Sequence, residues 1–192
     1  MKKILAVLAV ICLVSSLSFA RASEDMEFII KTGVQPQGTW SDGEGDENTD
    51  VGVSAGVEYF KYFINIVAIG GGINYDLPRE FKEDSMNGKI SFLPFYTAVK
   101  VRMPLRGLEN NYPFVTAKLG YSAFINDMDW IKTSSGGLYA GISAGYCIGA
   151  LFFEAGYFIN NLSYKPKPPY NDSKSFDATY STIAVYIGVK MD

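Results

Sequence analysis

Five charged residues lie on the polar face of stretches that alternate apolar and polar residues, and they are the first candidates for chemistry in this chain. They are Glu58, Lys100, Arg102, Lys118 and Glu154. Acids and bases that share a buried face are expected to pair, because an unpaired buried charge is costly. A gate whose pairs exchange partners fits these residues, but a static polar plug is the favoured interpretation, since a narrow barrel is filled by side chains.

An acidic stretch offers the other candidate set, this time for a metal. Its oxygen-bearing side chains recur at every second position: Asp42, Glu44, Asp46, Asn48 and Asp50. Calcium loops use such ligands. However, Glu47 stands where an EF-hand turn needs Gly, and Val53 stands where it needs Glu. The stretch therefore predicts a solvated surface loop, with no metal site and no cofactor.

Aromatic residues cluster beside the predicted short turns, as in the interfacial girdle of a membrane barrel. The members of this predicted girdle are Tyr59, Tyr62, Tyr112, Phe114, Tyr146 and Phe153. A ligand-stacking platform is the alternative interpretation. Trp40 and Trp130 fall in predicted long loops, where anchoring at the lipid surface and contact with a partner both remain open.

The elements that position these residues are strands, and residues 137–160 show the pattern best. Leu138, Ala140 and Ile142 alternate with Gly141 and Ser143, and the alternation resumes after a short break near residue 149. A period of two with a short break predicts an antiparallel hairpin. Small residues on the less apolar face suit the inside of a narrow closed barrel. The apolar face then points outward, which suits lipid.

Eight such strands are predicted, at residues 26–34, 50–60, 64–75, 89–103, 112–125, 137–147, 151–160 and 177–191. Four long polar loops are predicted between them, at 36–50, 76–88, 126–136 and 161–176. Strands of about ten residues match the length that a tilted membrane strand needs. The sequence therefore predicts an all-β, eight-stranded antiparallel up-and-down transmembrane β-barrel.

The first twenty residues read as a secretory signal peptide, with Lys2 and Lys3 followed by a short apolar run and small residues up to Ala20. We expect residues 1–20 to be the signal peptide and 21–192 to be the barrel domain. Removing two of the 17 basic residues leaves 15 against 20 acidic ones, a net charge of −5, which does not favour nucleic acid. Only Cys147 then remains, so an intramolecular disulfide is not expected.

The pattern resembles the small OmpA/OmpX-type eight-stranded outer-membrane proteins. Its most specific local features are the pairs Gly120-Tyr121, Gly145-Tyr146 and Gly156-Tyr157 and the segment 92–96, FLPFY. The resemblance implies the outer membrane of a two-membrane bacterium, lipid as the partner of the barrel wall, surface partners for the long loops, and a monomer. Enzymes with similar barrels use a histidine. This chain has none, so we expect no catalytic residues and no enzyme activity.

The expected function is therefore a structural or surface-interaction role, in adhesion or host contact, with a closed polar lumen. Two alternatives remain at this point. A small passive pore would need a lumen free of bulky residues. A soluble periplasmic barrel that binds an apolar ligand, as lipocalins do, would need apolar residues inside and charged residues outside.

Overall fold

The computed structural model describes residues 26–42, 45–81, 88–104, 111–128, 131–167 and 175–191. The predicted signal peptide lies outside these ranges and stays a prediction. Within them the chain forms β1 (Met26–Gln35), β2 (Gly38–Ser41), β3 (Asp46–Asn48), β4 (Gly52–Ile64), β5 (Val67–Glu80), β6 (Lys89–Arg102), β7 (Asn111–Asn126), β8 (Ile131–Ile148), β9 (Leu151–Pro166) and β10 (Phe176–Met191). Among the described residues, no helix has the length and apolar character to cross a membrane.

Eight of these strands, β1 and β4 to β10, form a closed antiparallel ring. Neighbours in the chain pair with each other, and β10 pairs with β1 to close the ring. Ile30 of β1 thus lies opposite Val57 of β4 on one side and Val189 of β10 on the other. Closure pairs the backbone groups of both strand edges, which a membrane-spanning sheet requires. The predicted eight-stranded up-and-down barrel is confirmed.

The strands turn their aliphatic residues outward, as β10 shows. Ile183, Val185 and Ile187 are 58%, 52% and 49% exposed, whereas Ala184 and Tyr186 between them are buried. An exterior of exposed aliphatic side chains suits lipid and not water. This orientation contradicts the soluble lipocalin-like alternative, which would place the aliphatic residues inside.

The apolar exterior has a clear upper limit. On β9 the outward residues are apolar from Leu151 to Ile159, which is close to the nine to eleven residues that a membrane strand needs. We call this zone the apolar belt. Beyond it the outward residues of β9 and β10 are polar, and we call them the polar collar: Asn161, Ser163, Lys165, Asp177, Thr179 and Ser181.

The first predicted long loop is largely an extension of the sheet. The register that pairs Gln35 with Gly52 in β1 and β4 continues without a shift into the pairing of Thr39 with Asn48 in β2 and β3. The sequence predicted a loop without strand pairing at residues 36–50, because Gly and acidic residues are frequent there. The backbone pairing of the hairpin overrides that weak local preference.

A bulge directs this hairpin over the bore. β1 leaves β10 at the Val34–Val185 pair, and β2 resumes at the Gly38–Thr182 pair. Three residues of the first segment thus face two of β10, which is the arrangement of a β-bulge. The extra residue reverses the alternation, so Trp40 points inward.

The other predicted loops are also shorter than expected, because β5, β8 and β9 extend into them as far as Glu80, from Ile131, and as far as Pro166. This rim of the barrel is called the hairpin rim. The opposite rim is called the short-turn rim and carries the turns at Asn65–Ile66 and Gly149–Ala150. Gly149 has a φ of +58°, a conformation that favours glycine.

Candidate functional site

The inward side chains occupy the bore in four successive layers between the short-turn rim and the hairpin rim. The first centres on Glu27, the second is a ring of four charges, the third is uncharged apart from one acid and one base, and the last is aromatic. Each layer draws side chains from several strands, because inward residues of neighbouring strands meet at one height in a barrel.

The second layer is a closed ring of alternating charges, called here the ion ring: Lys31, Glu58, Lys118 and Glu154. The Lys31 Nζ lies 2.7 Å from the Glu58 Oε1 and 2.6 Å from the Glu154 Oε2. The Lys118 Nζ lies 2.8 Å from the Glu58 Oε1 and 2.5 Å from the Glu154 Oε1. Each charge therefore contacts both charges of opposite sign, and the ring is neutral.

Hydroxyl groups complete the hydrogen bonding of the ion ring. The Tyr96 hydroxyl donates to Glu58 at 2.7 Å, and the Ser143 hydroxyl donates to Glu154 at 2.5 Å. The Lys31 Nζ also lies 4.3 Å from the centre of the Tyr186 ring. All four charged side chains are at most 3% exposed. Such dense pairing offsets the large cost of burying four charges.

The first layer surrounds the carboxylate of Glu27 near the short-turn rim. The Lys100 Nζ lies 2.6 Å from its Oε2, and the Tyr62 and Tyr112 hydroxyls both donate to its Oε1. The Arg102 Nη1 lies 3.8 Å from the same oxygen. The Lys100 ammonium is further surrounded by aromatic rings, with its Nζ 4.5 Å from the centre of the Phe114 ring.

The structure places the five charges predicted from sequence on the inner face, but it divides them between two layers. Glu58, Lys118 and Glu154 lie in the ion ring, whereas Lys100 and Arg102 lie in the Glu27 layer. Arg102 is the outermost of them, since its Nε donates to the Asn65 carbonyl at 2.6 Å in a turn of the short-turn rim.

Sequence reasoning missed Glu27 and Lys31, which supply the central partner of each layer. The alternation of β1 could have identified both residues, because Phe28 and Ile30 point outward and the odd-numbered residues therefore lie on the inner face. Three predicted bases against two predicted acids also left a charge without a partner.

The predicted aromatic girdle divides between the two faces. Tyr59, Tyr146 and Phe153 lie on the exterior beside the short-turn rim, and Tyr59 is 44% exposed. Tyr62 and Tyr112 instead point into the bore and bind Glu27.

Phe114 also lies in the bore, where it stacks on Phe152 with ring centres 5.1 Å apart. The girdle prediction is therefore wrong for Tyr62, Tyr112 and Phe114. Strand alternation gives the reason, because Tyr62 has the same parity as the inward Glu58.

The third layer, called here the polar layer, surrounds the ion pair of Asp76 and Arg79. Gln35 and Asn74 donate to the Asp76 Oδ1 at 2.8 Å and 2.9 Å. The Arg79 Nη1 donates to the Tyr180 hydroxyl at 2.5 Å. All these side chains are buried.

The fourth layer, called here the Trp40 cap, covers the polar layer at the hairpin rim. Trp40 is fully buried and packs against Phe81, Phe124 and Tyr164, with ring centres 5.7 Å, 5.8 Å and 6.0 Å away. Tyr164 donates to Asp42 at 2.9 Å, which ties β9 to the hairpin end. The interpretation of Trp40 as a lipid anchor or partner contact is wrong, and Trp130 lies outside the described residues.

The acidic stretch does not assemble a metal centre in the part that the structure describes. Across those residues no group of three His, Cys, Asp or Glu side chains is placed to hold a metal ion. Asp46 instead accepts a hydrogen bond from Ser41 across the β2–β3 hairpin.

Solved structures of bacterial surface and outer-membrane proteins share this architecture. Neisserial surface protein A matches 86% of this chain and 99% of its own, at 14% identity and a TM-score of 0.53. The outer membrane protein OprG from Pseudomonas aeruginosa matches 89% of this chain and 98% of its own, at 13% identity and a TM-score of 0.51. No family model and no curated protein matches the sequence. At these identities the likeness shows the shared fold.

Proposed function

We propose that this protein, an eight-stranded β-barrel of the bacterial outer membrane, holds its bore shut and acts through its hairpin rim. Its role is structural or one of surface contact, as in adhesion or contact with a host. In this proposal the barrel is a monomer, and outer-membrane lipid contacts its apolar belt. The observation that carries the proposal is the succession of four buried layers in the bore.

The buried layers support a closed lumen because two of them exclude ions for different reasons. In the ion ring each charge already has two partners within 2.8 Å, so a passing ion would have to replace strong contacts. In the Trp40 cap, packed aromatic rings fill the bore, so a passing ion would have to give up its hydration shell between apolar ring faces.

The strand extensions support a role in surface contact. On β9 the last seven residues continue past the apolar belt, and at about 3.3 Å per residue this adds about 23 Å of strand. The polar collar is therefore held on paired strands and not on free loops, which preorganises it for binding. Neisserial surface protein A is, by its name, a surface protein.

A role without catalysis forms part of the proposal. The chain has no histidine, and the charged groups of the ion ring are occupied in pairing with one another. The Ser143 hydroxyl, which lies beside this ring, donates a hydrogen bond to Glu154, whose carboxylate is already paired with two lysines. A general base that is free to activate a serine is therefore not offered by these residues.

Conductance in planar bilayers tests the closed lumen against the passive pore. We expect the purified, refolded barrel to give no stepwise current in 1 M salt. A variant with Lys118→Ala, Glu154→Ala and Trp40→Ala serves as the positive control, because it lacks side chains of both sealing layers and keeps the remaining Lys31–Glu58 pair neutral. Regular single-channel steps from the wild-type protein would favour the pore.

Adherence of intact cells tests the surface role. Cells that display the barrel are compared with cells that lack it, on immobilised extracellular-matrix proteins and on epithelial monolayers. We expect adherence to fall when the collar residues Ser163, Lys165 and Asp177 are replaced by Ala. Ile187→Val in the apolar belt is the matched control. Equal adherence with and without the barrel would leave only the structural role.

A further inference from the structure

The polar layer contains buried polar atoms that have no hydrogen-bond partner among the described residues. They are the Gln35 Oε1, Ser54 Oγ, Asn74 Oδ1, Arg79 Nε and Nη2, Ser122 Oγ and Asn160 Oδ1. Their six parent side chains come from five strands and are at most 4% exposed. A buried polar atom without a partner loses its hydrogen bonds to water and gains none in return, so a group of this size points to a ligand.

Arg79 shows most clearly what this ligand must offer. Its Nη1 donates to Tyr180, but its Nε and Nη2 have no partner, and these two form one side of the guanidinium fork. The Nη2 lies 4.0 Å from the Asp76 Oδ2, which is too long for a hydrogen bond. Gly52 leaves space for the guanidinium, since an added Cβ would lie 2.4 Å from its central carbon.

The balance of charge and of hydrogen-bonding types decides the class of ligand. An oxyanion would satisfy the Arg79 fork, but it would place a second negative charge beside Asp76 in a layer that is already neutral. It would also leave the acceptor oxygens of Gln35, Asn74 and Asn160 without donors. Water both donates and accepts, carries no charge, and forms about three hydrogen bonds when it is buried.

We propose that the polar layer is a hydrated chamber that binds a small cluster of ordered water molecules between two seals. The ion ring closes it towards the short-turn rim, and the Trp40 cap closes it towards the hairpin rim. This inference deepens the proposed function, because it rests on a bore that is shut. It adds that the bore is shut twice, with water held between the seals.

Two seals in series predict that the chamber can be opened from one side while the bore stays closed. Removal of the Trp40 cap alone opens the chamber to the outside but leaves the ion ring in place. Small solutes then reach the polar layer without crossing the barrel. Cys147 lies between the ion ring and the short-turn rim, where it is buried level with Tyr112 and Phe152. Labelling of Cys147 therefore shows whether a reagent has passed the ion ring.

The first experiment detects the water directly. Nuclear magnetic resonance of the refolded barrel in lipid nanodiscs is expected to show a cross-peak between long-lived water and the Arg79 Nε–H, assigned by its loss in Arg79→Lys. Absence of that cross-peak would overturn the proposal. A shift of the Arg79 signal on addition of formate, with loss of the water cross-peak, would overturn it in favour of an anion site.

The second experiment tests the two seals by thiol labelling. Ser122→Cys places a thiol in the chamber with little change in size, and a small cationic methanethiosulfonate is added from the water phase. With Trp40→Ala in addition, we expect Ser122→Cys to react at least tenfold faster, while the native Cys147 stays unreacted. Unchanged labelling at position 122 would show a dry layer. An equal acceleration of labelling at Cys147 would show that the ion ring does not seal the chamber. Either result overturns the chamber.

The proposed function fails separately from this inference. A conducting wild-type barrel would contradict the shut bore whatever the labelling shows. A silent barrel that lacks the water cross-peak would contradict only the hydrated chamber.

Discussion

At the scale of single residues, charge pairing decides which substitutions the bore tolerates. The ion ring holds two lysines and two glutamates without access to solvent, so each member depends on its partners. Removing one member leaves an uncompensated buried charge, which is more damaging than the loss of the contact itself.

We expect Lys118→Met to lower the free energy of unfolding by about 3–5 kcal/mol, because Glu58 and Glu154 then share the single base Lys31. Urea titration of the barrel folded in lipid vesicles measures this. Lys89→Met is the matched control, since Lys89 pairs with Glu80 at 3.1 Å but is 53% exposed, and it should cost less than about 1 kcal/mol.

Glu154→Gln combined with Lys118→Met should cost less than the sum of the two single changes, because it restores neutrality. A Lys118→Met effect no larger than that of Lys89→Met would show that charge pairing does not hold the ring.

The close approach of the β4 and β5 backbones restricts which residues fit at Gly70. A Cβ added to Gly70 would lie 1.9 Å from the Tyr59 carbonyl oxygen, whereas one added to Gly45 meets no atom within 4 Å. Gly70→Ala should therefore lower the free energy of unfolding by about 1–3 kcal/mol, through forced backbone movement. Gly45→Ala should stay within about 0.5 kcal/mol in the same titration. Equal effects would contradict the close approach of β4 and β5.

At the scale of elements, the β2–β3 hairpin is the part that changes the character of the barrel. Its strands continue the register of β1 and β4, and the bulge before Gly38 turns Trp40 inward. Without the hairpin, the polar layer would face the outside directly. The element therefore acts as a cap and not as a free loop.

Fluorescence of Trp40 tests the position of this hairpin. In a Trp130→Phe variant, Trp40 is the only tryptophan of the chain. We expect blue-shifted emission and weak quenching both by aqueous acrylamide and by brominated lipid chains, because the ring is buried inside the bore. The urea-unfolded protein is the reference. Strong quenching by brominated lipid would indicate a lipid anchor, and strong quenching by acrylamide would indicate a solvated loop.

At the scale of the whole molecule, the apolar belt sets how the barrel sits in the bilayer. Outward residues of β10 are apolar from Ile183 towards the short-turn rim and polar from Ser181 towards the hairpin rim. The boundary predicts where lipid ends, and it places the polar collar in water.

Arginine substitutions along β10 test this boundary. We expect Val185→Arg, in the belt, to lower the free energy of unfolding in vesicles by about 2–4 kcal/mol, because a charge then faces lipid. Ser181→Arg, on the same strand in the collar, should cost at most about 1 kcal/mol. Equal costs at the two positions would contradict the placement of the boundary.

The amino-acid sequence by itself determined the strand period, the outward aliphatic face and the number of strands in the ring. These follow from local alternation, since a period of two assigns each side chain to one face. Val185 and Ile187 could be placed outside, and Lys118 and Glu154 inside, without knowledge of any partner strand.

Only the tertiary structure decided which inward residues meet. The stagger of the closed ring sets the height of each residue, and it separates Lys100 from Lys118 although both lie on the inner face. The same stagger brings Lys31 of β1 to Glu154 of β9, 123 residues away. A bulge likewise reversed the face of Trp40. Register and bulges depend on pairing between distant strands, which local alternation does not encode.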